Sequence, residues 1–130
     1  MLNREVFERT AGQWRQYQAA PHAADIPNCG KWLLFPGDVQ LAERICLSAV
    51  HFGLVEKCKH ALDGGVVCLY LDAEDDAGHV RLLQWLIDYD LIPRKRNGEL
   101  YNIAFKLDAL TLNQQRGSTF NLEKYFSLHG

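Results

Sequence analysis

Apolar residues along this chain switch between two spacings, and the switches mark its elements. A continuous apolar run at Lys31–Phe35 reads as a strand. From Asp38 the spacing lengthens: Leu41, Ala42, Ile45, Cys46, Ala49, Val50 and Phe52 form one wide face. This predicts a helix over 38–52, with Asp38 as its N-cap and Gly53 just past its end. Across 54–72 the pattern is that of a hairpin turning at Asp63-Gly64-Gly65. Val80, Leu83, Ile87 and Leu91, reinforced by Leu82, Trp85 and Leu86, predict a second helix over 76–90, and Leu100–Leu107 completes the run as a strand.

The resulting order from Gly30 to Thr111 is βαββαβ, which predicts an α+β fold with an antiparallel sheet. Two crossovers of the same hand around a central hairpin place both helices on one face of that sheet. Residues 3–18 are predicted as an added helix, with Val6, Ala11, Trp14 and Tyr17 as a loose apolar stripe broken by Gly12. The proline-bearing stretch Ala19–Cys29 is an irregular connection, and residues 112–130 form a tail. A chain of 130 residues buries roughly two thirds of its unfolded surface, enough for one core, so residues 1–130 are expected to be a single domain.

Side-chain direction in the hairpin decides which residues meet. A loop centred on Gly64 combines Cys58, His60 and Leu62 with Val66, Cys68 and Tyr70 on one face. The other face then carries Lys57, Lys59 and Ala61 beside Val67, Leu69 and Leu71. Strand 66–71 is apolar on both faces, which makes it central. The side away from the helices carries lysines over a partly apolar floor.

Lys57 and Lys59 are the leading candidates for a ligand site, since a spacing of two on a strand aims both ammonium groups at one region. Two like charges held close favour an anionic partner. The competing reading lays their stems across Leu69 and Leu71 with the heads in water. Lys31 and Lys106, near the ends of the flanking strands, extend the same basic surface when register permits. A second cluster, Arg94-Lys95-Arg96, lies on an Asn97-Gly98 turn and reads as solvated. The acids of 72–76 read as caps of the following helix rather than as a cation site.

Composition narrows the classes further. The net charge of −2 argues against whole-surface attraction to nucleic acid, and 48% hydrophobic with 23% charged residues is ordinary for a soluble protein. Met1 to Ala20 contains three arginines and two glutamates and lacks the apolar run of an export signal, so a cytoplasmic setting without membrane association is expected. Cys29, Cys46, Cys58 and Cys68 lack metal or redox spacing, so no metal, cofactor or disulfide is expected. The histidines show no catalytic spacing; His60 reads as a core residue beside Cys58. No nucleophile elbow, phosphate-binding loop or dinucleotide fingerprint is present.

Gly30-Lys31-Trp32, Val66-Val67-Cys68-Leu69-Tyr70, the acidic helix opening and Phe105-Lys106-Leu107-Asp108-Ala109-Leu110-Thr111 resemble an uncharacterised family over about residues 30–111. That family is related to the basophilic leukaemia-expressed protein and labelled as holding a putative phosphothreonine lyase domain. Its fold is similar to that of the cap-binding translation initiation factor. The resemblance implies a sheet surface that receives a phosphorylated ligand. It also implies a lysine and a histidine two apart on one strand, yet here that strand reads Lys31-Trp32-Leu33, leaving leucine at the acid position. No tryptophan pair is spaced to grip a methylated base.

The expectation is therefore a small domain binding an anionic or phosphorylated ligand or peptide through Lys31, Lys57, Lys59 and Lys106, with catalytic residues unassigned. Two alternatives stand beside it: a divergent phosphothreonine-lyase-like enzyme, and a protein-interaction module whose sheet face is covered by the tail or a partner strand.

Overall fold

The computed structural model describes residues 4–22, 24–108 and 119–129. Its elements, in order, are β1 (Phe7–Ala11), β2 (Trp14–Gln18), β3 (Cys29–Leu34), α1 (Val39–His51), β4 (Lys57–Ala61), β5 (Val67–Asp72), α2 (Asp76–Asp88), β6 (Ala104–Leu107) and β7 (Phe120–Asn121). The strands form one antiparallel sheet in the order β1-β2-β4-β5-β3-β6-β7. The fold is α+β, with a hairpin before β3 and a short strand after β6.

The helix expected over 3–18 is instead the β1–β2 hairpin. Gly12 sits at φ 59° in the two-residue turn, a left-handed conformation suited to the first position of a tight hairpin. Pairing of β2 with β4 then completes the backbone hydrogen bonds of 14–18, which a sparse apolar stripe on a short helix has no means of outweighing. The expected strand 100–107 is likewise shorter: Leu100 makes an isolated bridge to Arg94, and regular pairing begins at Ala104.

Both helices lie on one face. Cys58, pointing toward α1, donates its thiol to the Cys46 carbonyl, while Trp32 donates its indole N–H to Nδ1 of His79 on α2. Cys58, Leu69 and Trp32 are successive cross-strand neighbours, so the two helices cover the same side. Tyr17, Val67, Leu71, Leu34 and Phe105 join them in the buried layer. Asp38 caps α1 by accepting from the Gln40 and Leu41 amides, and Asp75 caps α2 by accepting from Gly78.

The β4–β5 register is one residue off the expected one. Ala61 N–H donates to the Val66 carbonyl and Gly64 N–H to that of Ala61, which closes a four-residue loop over 62–65. Cys58 therefore faces Leu69, not Tyr70. Because strand side chains alternate, this single step moves Val67, Leu69 and Leu71 under the helices and brings Cys68 and Tyr70 to the lysine face. Gly64, at φ 76°, lies where a Cβ would come within 2.5 Å of the Val39 amide, so the turn is tucked beneath the start of α1.

Candidate anion-binding face

With the helices on one side, the other side of the sheet is built from alternate residues of every strand. Gln18 faces Lys57; one step along the ladder from the Cys58–Leu69 pair, Lys57 lies beside Tyr70; Tyr70 faces Lys31; and Lys31 faces Lys106. These residues form one row across five strands, with neighbouring strands about 4.8 Å apart. The next row runs Arg9, Gln16, Lys59, Cys68 and Leu33. All four predicted lysines thus share a face, and they flank β5 on both sides.

Tyr70 is the centre of this row. The Lys57 ammonium lies 5.2 Å from its ring centroid and that of Lys31 5.9 Å, while the Lys59 ammonium sits 3.9 Å from the centroid of Trp14. Such contacts hold the lysine stems over apolar ring faces while leaving the N–H donors free to reach an anion. Lys31 also forms an ion pair with Asp108 at 3.1 Å and is largely buried. Lys57, Lys59 and Lys106 have no carboxylate partner among the described residues.

A cavity of about 210 Å³ opens on this face, lined among others by Arg9, Gln16, Gln18, Lys57, Lys59, Tyr70 and Asp108. Arg9 is oriented by donation from Nε to the Gln16 side-chain oxygen at 2.8 Å. The cavity therefore presents cations and neutral donors against a single carboxylate. Burial raises the pKa of Tyr70, with nearby Cys68 and Asp108 adding to the effect, so its hydroxyl is a neutral donor.

The thiols here are poor nucleophiles. Burial, reinforced by Asp108, pushes Cys29 up to about 11; burial also pushes Cys68 up to about 11 despite the opposing pull of Lys59 and Lys31. The histidines of the sheet and of α2 lie on the other side. His60 contacts the Ala61 carbonyl through Nδ1 and the Tyr17 hydroxyl through Nε2, and His79 contacts the Ala73 carbonyl through Nε2. Carbonyls only accept, so Nδ1 of His60 and Nε2 of His79 both donate, and Nδ1 of His79 accepts from the Trp32 indole. Burial lowers the pKa of His79. Among the described residues, no histidine lines the cavity on the lysine face.

The lysines do not lie over Leu69 and Leu71, as the expected register had it, but beside Tyr70 and Cys68. Tyr70, Asp108, Arg9 and Trp14 are site residues that sequence reading missed: the slipped register turned Tyr70 away, and a helix over 3–18 removed Arg9 and Trp14 from the sheet. Gly12 between two short runs that carry Phe7, Thr10, Trp14 and Tyr17, residue types that favour strands, is the signal for the hairpin. Arg94, Lys95 and Arg96 are exposed, Arg94 donates to the Gly98 carbonyl, and none of the three lines this cavity. The acids of 72–76 serve the α2 entrance, with Asp72 accepting from the Glu74 amide and Asp76 from the Tyr125 hydroxyl.

Comparison with protein-family models, with curated proteins and with solved structures finds no match to this chain. No helix among the described residues is long and apolar enough to cross a membrane. The functional reading rests on the geometry of the face.

Proposed function

We propose that the open sheet face binds a small phosphorylated or otherwise multiply anionic ligand through Lys57 and Lys59, with Lys31, Lys106 and Arg9 adding positive potential. The carrying observation is the pair of cross-strand rows: four lysines and an arginine around Tyr70, with only Asp108 among the charges opposing them in the cavity. Lys57 and Lys59, two apart on β4, bring like charge to one region with no carboxylate partner among the described residues, so an anion seated between them gains attraction and relieves repulsion together. Lys57 and Lys59 act as point charges with rotatable donors, and the Tyr70 hydroxyl supplies a neutral donor to a phosphate oxygen. Four unpaired thiols suit the reducing cytoplasmic setting in which phosphorylated ligands are abundant.

Phosphate elimination is the weaker reading. It needs an acid for the leaving group near neutral pH, and Leu33 occupies the position two along from Lys31 while His60 and His79 are held in the core. A flat protein-interaction face is also disfavoured, because Lys57 and Lys59 line a concavity together with Arg9.

Calorimetric titration with pyrophosphate and with a phosphothreonine peptide tests the proposal. Saturable binding that weakens as salt rises is expected, with Lys57→Ala/Lys59→Ala lowering affinity by about tenfold or more. Binding unaffected by that double substitution places the ligand elsewhere.

A further inference from the structure

The two helices leave a groove between them on the surface opposite the lysines. It encloses about 560 Å³, with Leu41, Ile45, Phe52 and Trp85 contributing its apolar lining, and its polar lining includes Arg44 and Asp90. Both of these charged residues are exposed, and neither side chain forms a hydrogen bond or ion pair among the described residues. Concave, mostly apolar sites with a few convergent polar groups are the usual form of small-molecule sites.

Asp90 is the informative residue. Both helices end in the same C-terminal motif: Leu54 N–H donates to Ala49 and Gly53 N–H to Val50 after α1, while Leu91 N–H donates to Leu86 and Asp90 N–H to Ile87 after α2. The left-handed residue is Gly53 in the first case, as the motif favours, but Asp90 at φ 56° in the second. An aspartate there carries a backbone penalty that glycine avoids. Asp90 and Arg44, each without a side-chain hydrogen bond or ion pair among the described residues, line the same groove.

We infer that this groove binds a small zwitterion with an apolar body, an apolar α-amino acid, with Arg44 taking the carboxylate, Asp90 the ammonium and the Phe52–Trp85 lining the side chain. A ligand with one charge alone leaves Arg44 or Asp90 unmatched beside it, and an uncharged one leaves both.

Amide chemical-shift titration of the full chain with free phenylalanine, N-acetylphenylalanine and phenylalaninamide tests this. Saturable shifts at Ser48, Trp85 and Leu91 are expected for phenylalanine, with both blocked derivatives weaker by about tenfold or more. Asp90→Asn, which keeps a residue tolerant of the left-handed conformation, and Arg44→Gln should each weaken phenylalanine binding comparably while leaving the rest of the spectrum unchanged. The inference is overturned by any of three results: no saturable shift with phenylalanine, a blocked derivative binding as well as the free amino acid, or undiminished binding by Asp90→Asn. Concentration-dependent self-association through the same residues overturns it equally, since a second copy would then be the occupant.

Discussion

The contact between Trp32 and His79 shows how one pair of side chains ties the sheet to its helix layer. The indole N–H donates to Nδ1 at 2.9 Å, and both residues are fully buried. Trp32→Phe removes the donor and orphans the ring nitrogen, so chemical denaturation should show a loss of about 1–3 kcal/mol from that atom alone, before the lost packing of the smaller ring. The same site gives a pH dependence. Burial holds the folded pKa of His79 below its ordinary 6.5, so the unfolded chain binds the proton first as pH falls. Stability due to this group is complete above about pH 6.5 and declines as pH drops from there toward the folded pKa. His79→Gln should flatten that decline in denaturant midpoints measured across the acid range; an unchanged slope would assign the acid sensitivity to other groups. The thiols supply a further check. Cys46 and Cys58 are buried, so a thiol reagent should label them only on denaturation, when all four cysteines become accessible.

At the scale of elements, the two glycines in hairpin turns separate conformational strain from crowding. Gly12 and Gly64 both have positive φ, but a Cβ at Gly12 meets open space while one at Gly64 strikes the start of α1. Gly12→Ala should cost about 1 kcal/mol and Gly64→Ala clearly more, about 2 kcal/mol or above, as read by thermal or denaturant unfolding. Equal costs would mean that the β4–β5 turn does not pack against α1 as described. Helix spacing and caps from Asp38 to Phe52, and from Asp76 onward, were legible in the sequence because an amphipathic helix writes its period directly into the chain. Strand register was not, because the choice between a loop centred on Gly64 and one spanning 62–65 depends on backbone hydrogen bonds that the alternation leaves open. That one-residue ambiguity sent Tyr70 to the wrong face while leaving Lys57 and Lys59 correctly paired with each other. The first hairpin was lost for a related reason: its pairing partner, β4, lies more than forty residues away along the chain.

Across the whole molecule, the sheet divides two kinds of chemistry. Its helix-covered side holds two buried histidines, a tyrosine and apolar side chains, while the other side gathers cations that the low net charge conceals. This division predicts that incubation with a phosphothreonine peptide leaves the peptide intact by mass spectrometry, since no histidine lines the cavity on the lysine face among the described residues. A dehydrated peptide whose formation is abolished by Lys31→Ala or Lys57→Ala would reverse that reading. The most direct test of the central claim is an amide chemical-shift titration with pyrophosphate at low and at high salt, on the parent chain and on Lys57→Ala/Lys59→Ala. Saturable shifts centred on β4, Tyr70 and β2, weakened by salt and lost in the double variant, are the expected result. Shifts elsewhere on the molecule, or shifts that persist without Lys57 and Lys59, would contradict an anion-binding role for this face.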